Sequence, residues 1–247
     1  MDFFTDKAID FIQQEDEAPF FAYLPYPSPY GQITLIDDCL GQLIATLEAK
    51  GIRDNTLIIF TADHGLSLGH HGFWGHGGST FPSNLHEAAH SIPLIVNHPS
   101  CIESGQSSDL MTSNLDLFAT LVDYLGLQQT TESPMKNPSR SLAGLWRGDA
   151  LADWGDDEVY SEQEETRVLR TPQWVYFRRF SGNENETLWD ELYDVVNDPG
   201  ETNNVINEPE NQLVATELAT RIDRFFAKYA TPHADLWKGG QPLPSRW

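Results

Sequence analysis

The chain has 247 residues, 40% of them hydrophobic and 11% aromatic, which is enough apolar material to build the core of one large domain or of one and a half. Its 37 acidic residues outnumber 15 Lys and Arg, and the resulting charge of −22 would repel a polyanionic backbone, so nucleic acid is not expected as a partner. No run of about 18 apolar residues occurs, and Asp2 follows Met1 where a basic and then apolar leader would begin, so neither a membrane span nor a signal peptide is expected.

Residues 2–14 place Phe3, Ala8, Phe11 and Ile12 at the spacing of a helix with one buried face. Pro19-Phe20-Phe21-Ala22-Tyr23-Leu24 is an apolar, aromatic run stopped by the prolines between Pro25 and Pro29, which predicts a short buried strand. Ile33, Ile36, Leu40, Leu43, Ile44 and Leu47 then recur at helical spacing until Gly51 closes the pattern. Asn55 to Thr61 is a β-branched run after turn chemistry and predicts a central strand. A loop rich in Gly and His follows. Ile92 to Val96 predicts another buried strand, and Leu115 to Leu125, with Leu117, Leu121 and Leu125 on one face, another helix. This alternation implies a parallel sheet flanked by helices, the α/β class.

Beyond residue 130 the texture changes, so the chain is read as two regions, 1–130 and 131–247. After a stretch rich in Ser, Pro and Thr, the segments Trp174 to Phe177 and Leu188 to Val195 suit a small antiparallel sheet. The helix predicted over Leu213 to Tyr229 would dock on it through Leu218, Ile222, Phe225 and Tyr229. Cys39 and Cys101 fit no Cys-x-x-Cys or zinc pattern and are read as core or free thiols.

The chemistry concentrates in Thr61-Ala62-Asp63-His64-Gly65, after the Asn55 to Thr61 strand, at the sheet edge where open α/β folds gather ligands. A carboxylate and an imidazole there can serve a divalent cation, and the same pair can cap a helix or form a structural ion pair. The next residues favour the cation. His64, His70, His71 and His76 alternate with Gly65, Gly69, Gly72, Gly75, Gly77 and Gly78, so packing cannot stabilise the loop and its backbone is free to approach a bound group. Imidazoles near a cation can hold an anion or protonate a leaving group. Phe73 and Trp74 in the middle predict an anchored loop rather than a linker.

Six ordered motifs resemble the type I sulfatases of the alkaline-phosphatase-like superfamily. They are Pro19 to Leu24, Leu35-Ile36-Asp37-Asp38-Cys39-Leu40-Gly41, Asp54 to Gly65, Leu68 to Gly77, the pair Ile92-Pro93-Leu94-Ile95-Val96 and Asp116 to Leu121, and Glu191-Leu192-Tyr193-Asp194 with Asn197-Asp198-Pro199-Gly200-Glu201. The resemblance implies a partial alkaline-phosphatase-like sheet in 1–130 and a C-terminal region with a small antiparallel sheet and helix in 131–247. It implies a sulfuric ester hydrolase acting on aryl or carbohydrate sulfates. Asp63 and His64 would be ligands of a calcium ion, and His76 would take a catalytic place where many members carry a lysine that contacts the sulfate. A histidine stabilises that charge only when protonated, so this departure predicts pH-dependent activity.

Other departures bear on completeness. Tyr30 stands where many members have a histidine, and a stretch that usually follows is omitted. The family's nucleophile is a formylglycine made within Cys/Ser-x-Pro-x-Arg, and the chain has no such motif, nor the paired aspartates that complete the calcium site. Asn137-Pro138-Ser139-Arg140 imitates its second half, with Lys136 at the nucleophile position. The chain is therefore expected to be an incomplete form. The alternatives are a phosphodiesterase or phosphonate hydrolase of the same superfamily, and a non-catalytic binding module. Asn185-Glu186-Thr187 fits a glycosylation sequon.

Overall fold

The structure is a computed structural model that describes residues 2–14, 18–26, 33–127, 137–149, 151, 154–180 and 189–230. Tyr30, Lys136 and the Asn185-Glu186-Thr187 sequon lie outside the described residues. The chain divides into two compact units, one of Met1–Phe60 with Ile95–Gly105 and the other of Thr61–Leu94 with Gln106–Trp247.

In the first unit, helices α1 (Asp2–Gln13) and α2 (Ile33–Ala49) form where the apolar spacing predicts them. They bury Ala8 and Ile12 against Leu43 and Leu47, with Leu24 and Ile52 packed alongside. The buried stripe of α2 runs through Cys39, Leu43 and Leu47, one residue every fourth, so this thiol is a core residue. Gly51 ends α2 in the left-handed region at φ 73°, its N–H donating to the Glu48 carbonyl while the Ile52 N–H donates to that of Leu47, a Schellman closure. The strand β1 (Ile58–Thr61) is shorter than predicted because Arg53–Asn55 wind into a turn of 3₁₀ helix.

The strand expected over Pro19 to Leu24 does not form: residues 19–26 are irregular. A strand exists only through its ladder, and no partner pairs with this segment among the described residues. Leu24 reaches the helical core and Phe20 meets Phe11 edge to face at 5.6 Å, but Phe21 and Tyr23 remain exposed.

In the second unit the short strands β2 (Ser67–Leu68) and β3 (Trp74–Gly75) pair antiparallel, with Ser67 opposite Gly75. After them come the single turn α3 (Glu87–His90) and, further along the chain, the helices α4 (Asp116–Tyr124) and α5 (Ala143–Trp146); the strand β4 (Leu94–Asn97), which pairs with β1, belongs to the first unit from Ile95 onward. The antiparallel sheet is larger than its sequence signals. It holds β5 (Val159–Gln163), β6 (Thr166–Arg170), β7 (Trp174–Arg179) and β8 (Glu191–Asp194), in that spatial order. Helix α6 (Gln212–Tyr229) covers one face, where Ala215, Leu218 and Ile222 join Leu169, Tyr176 and Leu192. Phe225 stacks on Tyr160 at 3.9 Å, and Arg178 pairs with Asp223 at 2.9 Å.

The other face of the sheet is also covered. Val168, Val175, Phe177 and Tyr193 enclose Leu85, so a segment N-terminal to α3 lies on the sheet opposite α6. Burial on both faces explains why β6 carries no alternating pattern. No described helix is long and apolar enough to cross a membrane.

Ile222 is fully buried while Leu213, on the same helix, is exposed. Ile222→Ala is expected to cost about 2–5 kcal/mol of unfolding free energy in urea titrations, and Leu213→Ala to stay within about 0.5 kcal/mol.

Candidate functional site

Asp63 and His64 follow the last residue of β1, both exposed, and their side chains converge. The His64 N–H donates to Asp63 Oδ1 at 3.0 Å, and His64 Nε2 lies 3.7 Å from Asp63 Oδ2. His64 Nδ1 sits 2.8 Å from the Gly65 carbonyl, which can only accept, so Nδ1 donates there and Nε2 is the nitrogen turned toward the Asp63 carboxylate. An imidazole whose far nitrogen donates to a backbone carbonyl is oriented as metal-ligating histidines are. His76, half-buried, places its ring 4.8 Å from that of His64.

The loop is held by its own chain. A Cβ at Gly65 would stand 2.5 Å from the Ala88 carbonyl oxygen and 2.8 Å from that of Ser91, and the Gly65 N–H donates to the Ala89 carbonyl at 2.9 Å. A Cβ at Gly77 would stand 2.7 Å from the Asn84 carbonyl oxygen, and the Asn84 N–H donates back to Gly77 at 3.1 Å. The close approach allowed by these two glycines is thus to the segment around α3, which corrects the expectation that packing contributes nothing to the loop. Between the clamps, β2 and β3 form a minimal hairpin, and the buried Ser67 hydroxyl accepts from Asn84 Nδ2 at 2.9 Å. Trp74 is exposed, so it is not an anchor.

Two buried carboxylates fix the clamping segment to the sheet. Glu165 accepts from the Ser83 N–H at 2.5 Å and the Ser83 hydroxyl at 3.1 Å. Arg179 donates to the Ser83 carbonyl at 2.7 Å and pairs with Glu191 at 2.6 Å. Glu201 lies 2.7 Å from His86 Nδ1 and 2.5 Å from an Arg170 nitrogen. Burial opposes ionisation of Glu201, but the bond from His86 and the Arg170 charge outweigh it and hold its carboxyl below the usual range. Burial, then the Arg170 and His64 charges, lower His90. His71 stacks on His86 at 3.8 Å with the rings 10° from parallel. Sequence reasoning marked His71 and Glu201 without a role for this cluster and missed His86 and Arg170.

His70 is separate, its Nδ1 accepting from the Leu68 N–H at 3.3 Å. Arg140 is structural: it donates to the carbonyls of Met111, Asp156 and Glu158, pairs with the buried Asp116 at 3.4 Å and lies 4.0 Å over the Trp154 ring. Ser139 closes a turn on Asn137 Oδ1 at 2.9 Å. The Asn137 to Arg140 stretch is thereby a wall of the unit.

The family described as "Sulfatase" matches residues 25–127, and that described as "N-sulphoglucosamine sulphohydrolase, C-terminal" matches residues 82–228. An N-acetylglucosamine-6-O-sulfatase of Bacteroides thetaiotaomicron is 27% identical over 235 residues, covering 90% of this chain and 40% of the relative. A structure of a protein in complex with its substrate D-glucosamine-2-N,6-O-disulfate superposes with a TM-score of 0.68 at 24% identity, over 82% of this chain and 40% of that one. The phosphonate monoester hydrolase of Agrobacterium radiobacter superposes with a TM-score of 0.66 at 24% identity, over 88% and 44%. At such identities the structural likeness is one of fold. The chain spans half or less of the length of the curated relatives it matches.

Glycine requirements separate the clamps from the rest. Gly65→Ala forces a Cβ into two carbonyl oxygens and is expected to cost about 1–3 kcal/mol or more. Gly41→Ala, inside α2 with open space around it, should stabilise by up to about 1 kcal/mol. Urea titration of the two variants checks both signs.

Proposed function

Since the chain belongs to the sulfatase family and has its alkaline-phosphatase-like α/β fold, we propose that it supplies the cation-binding edge and C-terminal part of a sulfuric ester hydrolase. The observation that carries this reading is the His64 side chain, whose Nδ1–H is committed to Gly65 while Nε2 faces Asp63. Asp63 and His64 would hold a divalent cation, calcium by the family resemblance. A hard cation of that kind takes six to eight oxygens at about 2.3–2.6 Å, so further ligands are needed and this chain alone should bind it weakly. When bound, the cation would neutralise charge on the transferred sulfuryl group.

His76 would orient and stabilise the leaving-group side of the ester, since its ring already lies beside His64. Residues 1–130 would form part of the catalytic α/β domain, and residues 131–247 its C-terminal region. The substrate class is an aryl or carbohydrate sulfate. Carbohydrate sulfates are favoured by the N-acetylglucosamine-6-O-sulfatase and by the structure bound to a glucosamine disulfate. A second reading, phosphonate or phosphodiester hydrolysis, draws on the likeness to the phosphonate monoester hydrolase. The C-terminal family match favours sulfate.

The test joins this chain to an upstream segment bearing Cys/Ser-x-Pro-x-Arg and paired aspartates, with the cysteine matured. The chain by itself should not hydrolyse an aryl sulfate above background, because no activated nucleophile is available. The joined protein should hydrolyse it in preference to a phosphonate ester, and Asp63→Ala and His76→Ala should each lower kcat/KM by about 10²-fold or more. A joined enzyme indifferent to both substitutions would mean that the site lies elsewhere, and preference for the phosphonate ester would favour the second reading.

A further inference from the structure

Beyond the Asp63 and His64 pair stands a second set of donors. His71, His86 and Glu201 each offer one ligand atom, and the three atoms lie within 4.8 Å of one another. We propose that these residues form a separate binding site for a first-row transition-metal cation of the zinc type. This inference does not rest on the sulfatase reading and uses none of its proposed site residues, Asp63, His64 and His76.

The donor set is the first argument. Two imidazoles and one carboxylate oxygen suit zinc and its neighbours, whereas a calcium site needs many oxygens. With nitrogen and oxygen ligands about 2.0–2.2 Å from a tetrahedral zinc, ligand atoms stand about 3.3 Å apart. His86 Nδ1 and Glu201 Oε2, now 2.7 Å apart around a shared proton, need only a small opening for a cation to replace that proton. The His71 ring must swing from its stacked position to point its edge at the same place. It is exposed and can turn.

Orientation and strain are the second argument. The other Glu201 oxygen is held by Arg170 at 2.5 Å, so the carboxylate is aimed by an outer partner as metal-ligating carboxylates are. Arg170 adds positive charge nearby, and the Glu201 and Glu191 carboxylates supply negative charge around His71. Backbone conformation points to the same residues. His71 at φ 54° and Glu201 at φ 52° are two of the three non-glycine residues in the left-handed region among the described residues, and such strain gathers at functional sites. His86 and Glu201 are buried while His71 is exposed, which leaves an entry path for the ion and a fourth position for water.

The test titrates the purified chain with Zn²⁺ against a chromophoric chelator. His71→Asn removes the imidazole, keeps a residue that tolerates the left-handed region and leaves the Glu201 pairs with His86 and Arg170 intact. Wild type should take up one equivalent that His71→Asn binds at least about tenfold more weakly and that His64→Ala retains. On wild type alone, imidazole ¹⁵N resonances of His71 and His86 should shift with that equivalent, which decides the matter even if the variant fails to fold. Equal uptake by wild type and His71→Asn, no uptake by wild type, or shifts confined to His64, His70 and His76 would each overturn the site.

Discussion

Two carboxylates buried on one side of the antiparallel sheet govern the position of everything that can do chemistry here. Taking a charged group out of water costs several kcal/mol unless hydrogen bonds and counter-charges replace the solvent. Glu165 meets that cost with the backbone and hydroxyl of Ser83, and Glu201 with His86 and Arg170. Each carboxylate therefore accepts one arrangement of the segment that carries Leu85. Removing a partner leaves an uncompensated charge, so the arrangement is enforced by penalty more than by attraction.

From that segment the order passes to the loop. Asn84 and the α3 turn present carbonyls that only glycine can approach, at Gly65 and Gly77, and the loop between them is fixed at both ends. A Gly-rich stretch pays a high entropic cost on ordering. The hydrogen bonds of Gly65, Ser67 and Asn84 offset part of it. The outcome is that His64 turns one nitrogen to its own backbone and the other toward Asp63, with His76 alongside.

Much of this was legible in the sequence. The helices α2 and α6 follow from apolar spacing because each buries one stripe, and Asp63 and His64 stood out because the preceding run reads as a strand. The Pro19 to Leu24 run illustrates the limit: apolar, aromatic composition states a preference for extended structure, but a strand also needs neighbours to pair with. Of the two aromatic residues expected to anchor the loop, Phe73 is half-buried with its ring 6.4 Å from that of His86 while Trp74 is exposed, and the tightest anchors are the glycine contacts with backbone carbonyls. The cluster of His71, His86 and Glu201 was invisible because residues 115 apart in sequence meet only once the sheet has formed. Glu201 was noticed as part of a family signature, without a hint that its carboxylate is buried.

Amide hydrogen exchange tests the central claim, that buried carboxylates and glycine clamps hold the loop as a fixed element. The N–H groups of Gly65 and Asn84 donate across the clamps to Ala89 and Gly77. In the native chain both should exchange slowly, with protection comparable to the amides of β6 and β7, and Glu165→Gln should lower protection at both together. Exchange at Gly65 and Asn84 as fast as in an open chain, while the sheet stays protected, would contradict it.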